Sequence, residues 1–461
     1  MLEGILNQQR INYVLFHLNH NLELSPEIES RMVFQANSEP IIQEKHIIFT
    51  LSSKNPDLSS RIGELAVLFP LSQDRKWYKI DDKGNLIFLH DILKGAFLFL
   101  SGIQEANPPE RDNFGRFRYE DSLQKKLDTA YTPLVNHYFK IIQGGLQEFC
   151  DLHNIQIHLR KLFQPYGFMM THDVDQISLY NLNNLIYKTQ QLIGLKNTPY
   201  KKPQLVRQIF KTIWHLPNRN HKSDPYWNFR EMVNKEKKQS LKPVFYFLDK
   251  DLKNQDAKYD LRDKKIRELI RWIQDEGCET GIHGTVRSAK ESRYMMDLKE
   301  KFQEVSGNET FGLRQHRLIY EYPTTSCIHE ENSILYDATL GFAEQEGFRN
   351  AYCLPFKLYD FKHEKPFNTW EIPLTVMDAT LLHYRKMDIA KAEEAIDKLL
   401  DEIKKFNGIF TLLWHNSFFD EDLYPGITDL YENIISKPAD HGASSLTGKE
   451  VINKFDTFAL S

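Results

Sequence analysis

Residues 167–176 read GFMMTHDVDQ. An apolar run, Phe168 to Met170, ends on His172 and two carboxylates, Asp173 and Asp175. That is the pattern of a buried strand whose C-terminal end opens onto a polar site. The same shape recurs along the chain: LKPVFYFLD at 241–249, CETGIHG at 278–284, FGLRQH at 311–316 and GIFTLLWHN at 408–416. Helical spacing fills the gaps. In DKKIRELIRWIQDEG, Ile266, Leu269, Ile270 and Ile273 share one face and Gly277 stops the helix. Met295, Leu298, Phe302 and Val305 repeat that spacing, and 389–408 reads as a long helix closed by Gly408. Strands alternating with helices imply parallel pairing. Polar residues gathered at the strands' C-terminal ends imply the active-site face of a β/α barrel. The expectation is α/β, with a doubly wound open sheet as the alternative.

Outward from the barrel, residues 1–150 read as a smaller α+β unit. HIIFTLSS and NLIFLH are strand-like. DILKGAFLFLSGIQEA forms a helix with a broad apolar face, and a polar loop with Pro108, Pro109 and Gly115 follows. A helix bearing Leu134, Tyr138, Ile141 and Ile142 leads into the barrel, placed at 151–440, with a tail at 441–461. A basic stretch at about 184–240 interrupts the barrel after its first strand. It reads either as a solvated helical insertion or as a cap whose lysines face an anionic or phosphorylated substrate.

The 461 residues carry a net charge of -4, which neither demands nor excludes an acidic partner. No nucleic-acid partner is expected. Cys150, Cys278, Cys327 and Cys353 form no C-x-x-C pair, so buried reduced thiols are expected. Neither a secretory signal nor an apolar run of about 18 residues occurs, which predicts a cytoplasmic protein with no transmembrane segment.

Asp173, Asp175, His172, His283, Arg314, His316 and His415 all stand at strand ends, and EIPLTVMDATL adds Asp378. Carboxylate with imidazole suits a divalent metal, Zn²⁺ first, with Fe, Co, Mn or Ni also accommodated.

Together these segments resemble the polysaccharide deacetylases, the NodB-homology group of carbohydrate esterase family 4. Five ordered motifs match: THDVD, GIHGTVRS, GLRQHRL, EIPLTVMDATL and LLWHNS. The resemblance implies a distorted (β/α) barrel. It implies Asp173 as general base, held by Arg314, with Asp175 and His283 as metal ligands. His415 would be the general acid, tuned by Asp378. One departure concerns the metal. The family's second motif carries another His one helical turn on, and Arg287 stands there; an arginine does not deprotonate to bind a metal. His316 is the first candidate for the third ligand, with His172 and His383 behind it. The third motif also lacks its usual Pro-Tyr. The N-terminal region is similar to an uncharacterised domain that often precedes this barrel in Bacteroidota proteins, and YDATLGFAEQEGFRNAYCLPF also looks like that branch.

The activity so implied is metal-dependent removal of an N- or O-acetyl group from a sugar, an oligosaccharide, or a lipid- or nucleotide-linked precursor in surface-polysaccharide synthesis. Two other readings remain: an inactive glycan-binding or assembly protein on the same fold, and a deformylase-type C–N hydrolase. Trp414, Tyr320 and Tyr322 are either packing residues or walls for a sugar ring.

Overall fold

The computed structural model describes residues 4–36, 40–42, 44–106, 110–216, 223–251, 253–254, 256–309 and 312–456. Pro108 and Pro109 of the expected loop lie outside them.

The strand that opens on GFMMTHDV is β1 (Gly167–Val174), and every residue in it is buried. Around it stand β2 (Val244–Phe247), β3 (Glu279–Gly284), β4 (Gly312–Gln315), β5 (Tyr336–Asp337), β6 (Trp370–Glu371), β7 (Val376–Met377) and β8 (Ile409–Leu413). Their order is β6-β5-β4-β3-β2-β1-β8-β7, with every pairing parallel. A doubly wound sheet would switch direction at a crossover beside its first strand. Here chain order runs unbroken around the sheet and β8 returns to β1, which is barrel order. Strands β6 and β7 belong to one run, 370–377, that changes partner midway. Ile372 N–H donates to Asp337 O on the β5 side (2.8 Å), and Thr375 N–H to Thr411 O on the β8 side (3.2 Å). The result is a curled parallel sheet, a partial (β/α) barrel.

Strand alternation sorts the side chains of β1. Phe168 and Met170 pack outward with Phe410 and Leu412 of β8 under the helices. Met169 faces inward with Val244, Tyr246 and Tyr336. Tyr246 and Tyr336 fill the interior because the neighbouring strands carry glycine at the paired positions, Gly281 beside Tyr246 and Gly312 beside Tyr336. A Cβ on Gly312 would lie 1.8 Å from the Tyr336 ring, and one on Gly281 2.6 Å from Gly312 O.

Before the barrel, Met32–Ala36, Ile47–Leu51, Leu86–Phe88 and Tyr78–Ile80 form a sheet in that order; the last pair is antiparallel. Helix Ile92–Leu100 is buried all round rather than on one broad face. A single apolar cluster includes Phe97, Tyr138 and Phe149 of this region together with Met169 and Tyr336 of the barrel. Polar ties join them too. Arg349 holds Glu105 through two buried bonds of 2.9 and 2.6 Å. At the other end, Ser444–Ser445 pairs with the start of β1, and helix Gly448–Asp456 buries Val451, Ile452 and Phe455.

Cys150, Cys278 and Cys353 are buried as expected, but Cys327 is exposed on helix Thr324–Glu331. No described helix is long and apolar enough to cross a membrane.

Candidate active site

Asp173 lies near the end of β1 and Asp175 in the bend just after it, and both turn to the barrel interior. Both reach His283 from β3: its Nε2 lies 3.6 Å from Asp173 and 3.1 Å from Asp175. His172, between the strand's inner positions, points the other way. It is fully buried between Glu236 (2.6 Å) and the Trp414 carbonyl (2.6 Å), which removes it as a ligand candidate. His383 is exposed on the segment Thr380–Tyr384 and does not line the site.

Just after β4 the chain turns sharply, with Arg317 and Leu318 both at positive φ (61° and 56°). The turn aims His316 at the site, its Nε2 3.8 Å from Asp175. Asp175, His283 and His316 thus offer three ligand atoms within 4.8 Å of one another. The donor set suits a divalent metal. His283 donates Nδ1–H to the Arg314 carbonyl (2.8 Å), which leaves Nε2 as a lone pair facing Asp175 Oδ1. That carboxylate oxygen is buried and has no hydrogen-bond partner. Two acceptors face to face repel unless a proton or a cation sits between them. His316 is similarly committed, its Nδ1 on Asp256 at 2.6 Å, so its Nε2 is also turned inward as a lone pair.

Arg314 lies fully buried on β4. Its Nη1 donates to Asp173 Oδ1 (3.0 Å) and to the Thr171 hydroxyl (2.8 Å), and its Nε to the Ala338 carbonyl (2.8 Å). From β8, His415 follows the alternation of Ile409, Thr411 and Leu413 and faces inward. Its Nδ1 is 2.8 Å from Asp378, which also accepts the His415 N–H at 2.6 Å. Its Nε2 lies 3.8 Å from Asp175.

Charge follows from this geometry. Burial pushes Asp175 up, but His316, His283 and His415 outweigh it and hold the carboxyl well below its usual range. Burial pushes His283 down, and Asp173 and Asp175 reverse that. Burial likewise opposes protonation of His415, yet Asp378, then Asp175 and Asp173, raise it to about 10.

A cavity of about 340 Å³ brings Asp173, Asp175, His283, His316 and His415 together. Sequence reading missed three contributors. Asp256, which orients His316, lies in a loop with Asp249, Asp251 and Asp260, and nothing in spacing separates it from them. Phe114 and Arg116 reach the cavity from the N-terminal region. Arg116 is held there by Asp112 (2.6 Å) and by the Arg317 carbonyl (2.9 Å). None of the cavity's lining residues comes from the basic insertion.

Arg287 turns away from the cluster toward Asp251 (3.6 Å) and over the Tyr294 ring. Trp414 is fully buried on the outer face with Phe419 and Tyr431. Tyr320 and Tyr322 are buried as well, with hydroxyls on Ser326 and the Tyr359 carbonyl. These three are packing residues and line no sugar groove.

Residues 5–151 match the model of a family of unknown function, DUF7033. No curated protein matches the chain significantly. Among solved structures it is similar to a Mycobacterium smegmatis protein assigned, by name only, as a polysaccharide deacetylase. That likeness has 15% identity and a TM-score of 0.41 and covers 64% of this chain and 91% of the other. A CE4-family pseudoenzyme from Bacillus anthracis is similar at 12% identity and a TM-score of 0.30, over 50% of this chain and 63% of its own.

Proposed function

We propose that this chain is a metal-dependent hydrolase that removes an acyl group, acetyl first, from an amino or hydroxyl position of a sugar. The observation that supports it is the Asp175–His283–His316 cluster in one cavity with a further carboxylate, Asp173, and a further imidazole, His415. The sugar as substrate class rests on the five segments that resemble polysaccharide deacetylases.

Asp175, His283 and His316 would hold a divalent cation, Zn²⁺ first. When bound, such a cation supplies Lewis acidity to the acyl carbonyl and lowers the pKa of water at the site. Asp173 takes the proton of the attacking water at the carboxylate oxygen not bound by Arg314. Arg314 fixes that carboxylate by a charge-assisted hydrogen bond. His415, protonated because Asp378 lies against Nδ1, gives the Nε2 proton to the leaving nitrogen or oxygen. Phe114 and Arg116 form part of the cavity wall. The substrate would be a precursor carried on a lipid or nucleotide.

The test is release of acetate from acetylated amino sugars by the zinc-loaded full chain, with metal content measured alongside. Metal held without acyl release would leave a sugar-binding protein; release of formate alone would make it a deformylase.

A further inference from the structure

The basic insertion does not cover the cavity, and its own surface is unusual. It begins with α1 (Leu182–Leu192) and α2 (Lys202–His215), which pack against each other. A helix of a water-soluble protein normally turns its apolar stripe to the core. Here the stripes face outward. On α1 and its end, Leu182, Ile186 and Ile193 lie within about 40° of one another on a helical wheel of 100° per residue. They are 61%, 50% and 64% exposed. On α2, Val206, Phe210, Ile213 and Trp214 follow the i, i+4, i+7, i+8 spacing and are 48–73% exposed. The α2 residues turned to the body are Leu205 and Thr212.

The charge of this hairpin is one-sided. Residues 182–215 contain six lysines and arginines and no aspartate or glutamate, in a chain whose net charge is -4. Arg207 is tied to Asp422, and Lys188 to Gln208 and the Tyr200 ring. Lys196, Lys201, Lys202 and Lys211 are exposed and make no ion pair among the described residues. Asp420, Glu421 and Asp422 share a cavity with Arg207 and Lys211, but aromatic and aliphatic side chains on one face, with lysines and no acidic residue in either helix, form the pattern of a helix that lies in a membrane interface. The four lysines without an ion pair, Lys196, Lys201, Lys202 and Lys211, complement an anionic surface.

We propose that the α1–α2 hairpin docks the protein on an anionic lipid bilayer, with Phe210 and Trp214 entering the headgroup region and the lysines on lipid phosphates. A second cavity, of about 290 Å³, is lined by Asp175 together with Leu182 and Asn183, so the candidate site opens beside the docked face. The docking does not depend on the hydrolase reading and is measured without it.

Sedimentation of the full chain with vesicles tests it. One set is phosphatidylcholine alone; the other contains about one third phosphatidylglycerol. The chain is expected to pellet with the anionic vesicles, not the neutral ones, and to be released by salt. Phe210→Glu/Trp214→Glu should abolish pelleting while leaving the melting temperature unchanged, since both side chains are exposed. Lys201→Ala/Lys202→Ala/Lys211→Ala should weaken binding by roughly fivefold per lysine. Absence of pelleting with either vesicle overturns the proposal. So does undiminished pelleting of the Phe210/Trp214 variant. Self-association of the wild type that the same variant abolishes, without lipid binding, would make a second copy the occupant and also overturn it.

Discussion

Asp173 and Asp175 have the same chemistry, and their neighbours give them different tasks. Arg314 holds Asp173 from behind, whereas Asp175 faces three imidazoles. Asp173→Asn should therefore lower kcat/KM about 10²–10⁴-fold while metal content stays at the wild-type value; acetate release and metal analysis on the same sample read both. His415 acts while protonated, so activity should fall as pH rises through its pKa, near 10 in the metal-free site. Asp378→Asn removes the largest raising influence and leaves burial, which lowers it. The alkaline limb of the kcat/KM profile should then move to lower pH. Asp256→Asn should weaken metal affinity about 10–100-fold by loosening His316, and equilibrium dialysis with zinc measures that. Legibility at this scale depended on the faces of the strands. His283 and His415 were readable as strand-end residues. Trp414, readable as packing or as a sugar wall, and His172, a weaker ligand candidate, are decided by alternation, which turns each outward from its inward-facing neighbour. Asp256 was invisible among four aspartates of one loop.

At the scale of elements, the strands legible in the sequence were the longer buried ones: β1 to β4 and β8. Strands β5, β6 and β7 have two residues each and show no period to detect. Their positions are set by neighbours instead, most visibly in the run 370–377 that leaves β5 for β8. Barrel curvature depends on Gly281 and Gly312 admitting Tyr246 and Tyr336. Gly312→Ala should destabilise the protein by about 1–3 kcal/mol or more, since the added methyl would overlap a ring packed on all sides. Chemical denaturation reads this as a lower midpoint. The basic insertion was legible as helical and charged, but its outward apolar stripes appear only once α2 is seated by Leu205 and Thr212.

For the whole molecule, the N-terminal region and the barrel share one apolar cluster and the buried Arg349–Glu105 pair. Composition marked residues 1–150 as different in pattern, yet could not show that Phe114 and Arg116 would wall the cavity. Glu105→Ala leaves a buried guanidinium without its carboxylate and should cost about 3–5 kcal/mol. A single cooperative melt that shifts as a whole is expected, rather than loss of one part. The central claim is that Asp175, His283 and His316 hold a divalent cation in one cavity with a base and an acid. Anomalous diffraction from crystals of the full chain grown with zinc tests it most directly. The account predicts one strong peak within bonding distance of those three side chains, with Asp173 and His415 in the same cavity. No peak there, or a peak held by other residues, would contradict it.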